Sequence, residues 1–191
     1  MTQRANHYEA AFEYLLRCLR VPYVAVDETR RTLAVGTSLK SLDFVVSGPD
    51  GQRWLVDVKG RQFPSGQRRK YWNNWATEED LHSLARWERL FGAEFSGLLV
   101  FAYCIVGELA PLPEDQLLAF RNRLYAFVAI RRADYAQAAR RISPRWKTVS
   151  IPTEKFRSLA RAAHEWFGVP WPDPALRMPG PPTDDDSSSR R

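Results

Sequence analysis

The stretch Ser41–Lys59, SLDFVVSGPDGQRWLVDVK, decides how the chain is read. Two runs rich in Val, Leu, Phe and Trp flank Gly48-Pro49-Asp50-Gly51, a strong turn signal, so the segment predicts a β-hairpin with strands at Ser41–Ser47 and Gln52–Lys59. Residues two apart in a strand share a face. Asp57 and Lys59 therefore project together, while Val56 and Val58 project to the other side. With the turn centred near Asp50, residues whose numbers add to 100 pair, which sets Asp43 across from Asp57. Such facing side-chain carbons lie about 5 Å apart.

Two facing carboxylates repel unless a cation sits between them. Mg²⁺ suits that position, since it takes one or two carboxylates together with waters and substrate phosphate oxygens. Asp43 and Asp57 are therefore the candidate metal ligands. Lys59 beside them can orient a metal-bound water or help deprotonate it, and the metal itself lowers that water's pKa. Phosphodiester hydrolysis is the chemistry that suits the set.

Upstream, Tyr8, Phe12, Leu15, Leu16 and Leu19 recur on one helical face, which predicts an amphipathic helix over Asn6–Arg20. Glu9 flanks that face and is better angled than Glu13 to complete the site. Pro22 ends the helix, and Tyr23–Glu28 reads as a first strand. Downstream, Gly60–Ala76 reads as irregular, basic and aromatic, with Arg61, Arg68, Arg69 and Lys70 among Tyr71, Trp72 and Trp75. Cations interleaved with aromatics suit phosphate contacts and base stacking, although Trp72 and Trp75 are expected to pack in the core. A helix capped by Thr77 and stopped at Gly92 follows, then a buried strand at Phe95–Val106. Further elements are a strand at Arg123–Ile130, a short helix at Asp134–Arg141, a strand at Trp146–Ile151 and a capped helix from Thr153 to Phe167.

The order of elements, with LDFVV and WLVDVKGR preceded by HYEAAFEYLL, resembles the PD-(D/E)xK nuclease superfamily, the fold of many restriction enzymes and of archaeal Holliday-junction resolvases. The resemblance covers about residues 6–106. It implies an α/β, restriction-endonuclease-like αβββαβ core with a mixed central sheet flanked by helices, with 107–169 an unmatched addition to one domain of residues 1–169. It also implies Mg²⁺- or Mn²⁺-dependent cleavage of DNA and, as in resolvase-like relatives, a homodimer. Asp43 matches the first acidic position, with Leu42 in place of the usual proline. Asp57 matches the second acidic position, Lys59 the lysine, and Glu9 the helix glutamate, with Glu13 its rival. Some members of the superfamily bind without cleaving, so a nucleic-acid-binding or protein-interaction module on the same fold is the alternative. A bare strand ion pair in an unrelated α/β protein is a third reading.

The rest of the composition fits these readings. The 191 residues carry 28 Lys+Arg against 22 Asp+Glu, a net +6, which permits a nucleic-acid partner without requiring one. From Pro170 the chain turns proline-rich, then acidic, then serine-rich, and predicts a disordered tail of net −1 that leaves +7 on the rest. The longest apolar stretch, Gly97–Gly107, falls far short of the roughly 20 residues of a membrane span. The N-terminus lacks the pattern of a signal peptide. With Cys18 and Cys104 far apart in apolar segments, free thiols in a reducing cytoplasm are expected. His164-Glu165 lacks the second histidine of a zinc-protease helix, and no phosphate-binding glycine motif occurs. Arg30-Arg31, Arg131-Arg132 and Arg140-Arg141 read as solvated faces.

Overall fold

The computed structural model describes residues 6–26, 33–34, 37–38, 40–66 and 71–172. Arg68, Arg69 and Lys70, the pairs Asp27-Glu28 and Arg30-Arg31, and the tail from residue 173 lie outside the described residues. In chain order the elements are α1 (His7–Cys18), β1 (Tyr23–Ala25), β2 (Leu33–Ala34), β3 (Thr37–Ser38), β4 (Phe44–Ser47), β5 (Arg53–Phe63), β6 (Ala76–Thr77), α2 (Glu78–Phe91) and β7 (Phe95–Ile105). After a 3₁₀ turn at Glu114–Gln116 come β8 (Leu118–Phe120), β9 (Arg123–Arg131), α3 (Arg132–Ala138), β10 (Arg140–Ser143), β11 (Thr148–Ser150), α4 (Thr153–Leu159), β12 (Arg161–Ala162) and α5 (Ala163–Trp166).

The central sheet runs β1-β4-β5-β7-β9-β12, with β8 pairing to β9. Strand β5 is antiparallel to β4 and parallel to β7, so the sheet is mixed. The β5–α2–β7 connection is the crossover that a parallel pair requires. The hairpin register is the one read from the turn, with Phe44 opposite Val56, Val45 opposite Leu55 and Ser47 opposite Arg53.

Period-two alternation in β5 distributes its side chains between two cores. Trp54, Val56 and Val58 join the Ala11, Phe12, Leu15 and Leu16 face of α1. Leu55 and Phe63 face the other way, toward Leu84 of α2, Tyr135 of α3 and Phe156 of α4. Strand β9 feeds both cores, with Tyr125, Phe127 and Ala129 on the α1 side and Ala126, Val128 and Ile130 on the α2 side.

Four sequence expectations need correction. The short helix expected over Asp134–Arg141 ends at Ala138, and Arg140 and Arg141 are strand residues that pair with Ser150 and Val149 of β11. Strand β5 does not stop at Lys59. It continues through Gly60, Arg61 and Gln62 to Phe63, because β7 offers a parallel partner along its whole length, out to Phe63 opposite Ile105. The helix expected over Thr153–Phe167 is two helices. Ala160 leaves helical geometry at φ −86°, ψ 147°, and Arg161 and Ala162 pair with Ala129 and Val128 at the outer edge of β9. Trp75 is not a core residue. It is 37% exposed, whereas Trp72 does pack against Phe63, Tyr103 and Phe156.

Candidate functional site

The geometry starts from the end of the β4–β5 ladder. Asp43 precedes β4, and its N–H donates to Val56 O at 2.9 Å. Its side chain turns to β5, where Asp43 Oδ2 accepts the Val58 N–H at 2.6 Å. The ladder ends at Phe44 opposite Val56, so Asp43 lies past its last pair, not in register opposite Asp57, and its carboxylate takes a β5 N–H beyond that pair. Asp43 is thereby fixed to the main chain of the residue between Asp57 and Lys59, and it is buried.

Asp57 and Lys59 share the α2-facing side of β5. Lys59 Nζ lies 2.8 Å from Asp57 Oδ2 and 3.0 Å from Asp80 Oδ1. Asp80 comes from the first turn of α2, and Thr77 and Asp80 explain its position. Thr77 N–H donates to Asp80 Oδ2 at 2.8 Å, while Asp80 N–H donates to Thr77 Oγ1 at 3.1 Å. This reciprocal capping box opens the helix and leaves Oδ1 for cations. Lys40 Nζ binds that same Oδ1 from the segment before the hairpin. The result is a row of alternating charge, Asp57, Lys59, Asp80, Lys40. A small hollow beside it is lined by Lys40, Ser41, Asp57, Asp80, Ser83 and Trp87.

Each ionisation follows from this arrangement. Burial raises the Asp57 carboxyl above its ordinary value; Lys59 pulls it down, but the Asp80 charge adds to the upward push. Burial works against the Lys59 charge, yet Asp57 and Asp80 outweigh it and hold the ammonium above its usual pKa. Burial also opposes the Asp80 charge, but Lys59, Lys40 and the Thr77 amide hold its carboxyl well below the carboxylate range. Lys59 thus stays protonated at neutral pH. It can orient a water and offset negative charge, but has no lone pair with which to take a proton.

Glu9 is buried on α1, which covers the Val56 and Val58 side of β5 rather than the Asp57 side, and it accepts a hydrogen bond from Asn6 Nδ2. Glu13 accepts from Arg17 at 2.7 Å and from Tyr23 OH at 2.9 Å. Among the described residues no group of three or more His, Cys, Asp and Glu is placed to hold a metal ion, so Glu9, Asp43 and Asp57 do not form one. Two hard carboxylates are still a sufficient protein contribution for Mg²⁺, which keeps its waters and takes phosphate oxygens. Asp43 and Asp57 meet that requirement in chemistry and number. Lys59 is the cation with which such an ion would compete for Asp57.

Arg61, two residues further along the same face, spends its fork within the chain. One terminal nitrogen donates to Gly60 O at 2.7 Å and the other to Trp75 O, and the guanidinium lies 3.9 Å from the Trp75 ring centroid. Asp80 and Lys40 are the site residues that sequence reasoning missed. The Thr-x-x-Asp spacing signals a cap, and the cap consumes only one carboxylate oxygen; no sequence pattern links Asp80 to Lys59 on β5. The free, buried cysteines agree with the sequence expectation, and among the described residues no helix is long and apolar enough to cross a membrane.

The sequence matches no protein-family model and no curated protein. The structure is similar to that of Archaeoglobus fulgidus Hjc, a Holliday junction resolvase from an archaeal hyperthermophile, with a TM-score of 0.50 at 14% identity. The likeness covers 85% of this chain and 98% of that one, so it extends beyond residues 6–106 into the segment that the sequence resemblance left unmatched. The chain therefore has the restriction-endonuclease-like fold, a mixed central sheet flanked by helices.

Proposed function

We propose that this chain is a divalent-metal-dependent endonuclease that hydrolyses DNA phosphodiester bonds by the PD-(D/E)xK mechanism. The observation that carries this reading is the Asp57–Lys59 pair on one face of β5, 2.8 Å apart, with Asp43 fastened to the main chain between them. Its likeness in fold to a Holliday junction resolvase supports a nuclease. In this reading Asp43 and Asp57 hold Mg²⁺ or Mn²⁺, which when bound lowers the pKa of a water and offsets phosphate charge. Lys59 orients the attacking water and stabilises the charge that develops on the phosphate in the transition state. Glu9 has the lesser role of lateral support on the α1 side. DNA is the partner, and the superfamily resemblance adds a homodimer, which sedimentation at several protein concentrations tests.

The expected result is cleavage of linear, branched or mismatched DNA in Mg²⁺ or Mn²⁺, lost in Asp57→Ala and Lys59→Ala while both variants keep the wild-type circular dichroism. Absence of cleavage on all three substrate types with both metals overturns the reading. One observation favours a second reading, a DNA-binding module without catalysis: Lys59 already occupies the space between Asp57 and Asp80. Calorimetry separates the two, because the nuclease reading requires Mg²⁺ or Mn²⁺ binding that disappears in Asp43→Ala and Asp57→Ala.

A further inference from the structure

The β10–β11 hairpin has a firmly held root and an unprotected tip. At the root, Val149 and Ile151 are buried, and the Asn74 side chain bonds both the N–H and the C=O of Ile151, at 2.9 and 3.0 Å. Tyr135 OH donates to Asn74 O and Val149 O, at 2.7 and 3.1 Å. Strand β11 then pairs with β6, Thr148 opposite Thr77. Across Arg140–Lys147 (RRISPRWK) four cations stand in eight residues with no acid among them: Arg140 and Arg141 in the ladder opposite Ser150 and Val149, with Arg141 bound to Glu78 at 2.6 Å, and Arg145 and Lys147 at the tip. Only Ser143 of these eight is even partly shielded. Trp146 is 68% exposed and Ile142 57% exposed. A rigid base holding two large apolar side chains in water among cations gains nothing for folding from that exposure, which is the character of a contact surface.

The hairpin is also wired to the Asp57–Lys59 site. From Thr148 the path crosses one strand spacing, about 5 Å, to Thr77. It then follows the 2.8 Å bond to Asp80 and the 3.0 Å contact to Lys59.

We infer that the β10–β11 hairpin is a DNA-contacting wing, with Arg145 and Lys147 on backbone phosphates and the Trp146 indole stacked on an unpaired base. Phosphates complement the cations, and every base offers a π-face to an exposed indole. The choice of DNA as the polymer rests on the nuclease reading above.

The test is fluorescence anisotropy with the full chain in EDTA, so that binding is read without cleavage. The probes are a labelled duplex and the same duplex with a short single-stranded gap, each titrated at several salt concentrations. Arg145→Gln with Lys147→Gln is expected to weaken both probes and to make the salt slope shallower by about 1.8, two phosphates at 0.9 each. Trp146→Ala is expected to weaken the gapped probe by about tenfold and the plain duplex little. Thermal melts of the variants should match the wild type, since the substituted side chains are exposed. An unchanged salt slope in the double variant, or equal gapped-probe affinity in Trp146→Ala, overturns the wing. It is also overturned if the variants lose affinity for poly-glutamate but not for DNA, since the partner is then an acidic protein. If the wild type binds DNA through the hairpin yet never cleaves, the wing stands and the nuclease reading falls.

Discussion

Asp80→Asn is the most informative perturbation of the site, because one buried carboxylate both caps a helix and holds two lysines. The substitution keeps shape and size while removing the charge. Asn keeps one amide oxygen that can accept the Thr77 N–H, but its NH₂ then faces the two lysines, and the weakened capping box costs up to about 1 kcal/mol. Removing one partner of a buried ion pair costs about 3–5 kcal/mol when the other is left uncompensated. Here the loss is smaller, since Lys59 retains Asp57 at 2.8 Å and the Lys40 side chain is 48% exposed. About 2 kcal/mol is reasonable for that part, for a total near 3 kcal/mol, or a Tm lower by about 6–12 °C in a chain of this size.

The pH dependence carries a definite sign. The folded state holds the Asp80 carboxyl well below its ordinary value, with Lys59 and Lys40 supplying the attraction that overcomes burial. A depressed folded pKa contributes stability that is complete above the unfolded value, about 3.9, and is lost as pH falls toward the folded one. Urea unfolding of wild type and Asp80→Asn at pH 7, 5 and 3.5 measures the difference directly. The gap should be equal at pH 7 and 5 and should narrow at 3.5. A gap below about 1 kcal/mol at pH 7, or one of the same size at pH 3.5, refutes the account of Asp80 as the charged anchor of Lys59.

Other substitutions separate function from stability. Asp57→Asn should abolish DNA cleavage without lowering the Tm, because burial already disfavours the Asp57 charge and Lys59 keeps Asp80; a drop of 5 °C or more on a thermal melt, about 2 kcal/mol here, contradicts this. A Cβ at Gly60 would come within 2.2 Å of the Tyr8 ring, so Gly60→Ala should cost about 1–3 kcal/mol by chemical denaturation. Adding Tyr8→Ala should make the pair non-additive, with the second change costing less in the Gly60→Ala background than alone. Asn74→Ala leaves the buried Ile151 N–H without its partner and its C=O with only Ser150 Oγ at 3.4 Å, and should cost about 2–3 kcal/mol in the same assay.

What the sequence discloses here depends on how local the cause is. The hairpin register was legible because Gly48–Gly51 forces the turn, and α2 because Thr77 and Gly92 bound it. Strand β7 was legible because eleven consecutive residues suit a buried strand. Gly60-Arg61-Gln62 looks like loop composition, yet it is strand because β7 supplies hydrogen-bond partners from a remote part of the chain. The break at Ala160 is equally non-local. Residues 153–167 have helical periodicity, but the open edge of β9 captures Arg161 and Ala162, and Trp166 donates its indole N–H to Ala129 O at 3.0 Å. Asp80 was missed as an anchor, since its second carboxylate oxygen meets Lys59 only once α2 docks on β5.

In the proposed function the charge arrangement divides the labour between capture and chemistry. Asp57 and Asp80 flank Lys59, Lys40 binds Asp80, and Asp43 is bonded to the Val58 N–H, so with every group ionised three carboxylates stand against two lysines and the set is negative in sum. A polyanion is not drawn to such a cluster. The +7 on the chain ahead of the tail must therefore act from elsewhere, and the exposed cations of Arg140–Lys147 are its densest run in the described part of the sequence. Attraction supplied by a wing leaves the site free to be tuned differently. In the proposed function its buried carboxylates would repel phosphate until a divalent ion added two positive charges, so that DNA capture would be independent of the metal and cleavage conditional on it. The same logic gives Asp80 its value, since a lysine displaced from Asp57 by that ion would still have a carboxylate 3.0 Å away to hold it in place.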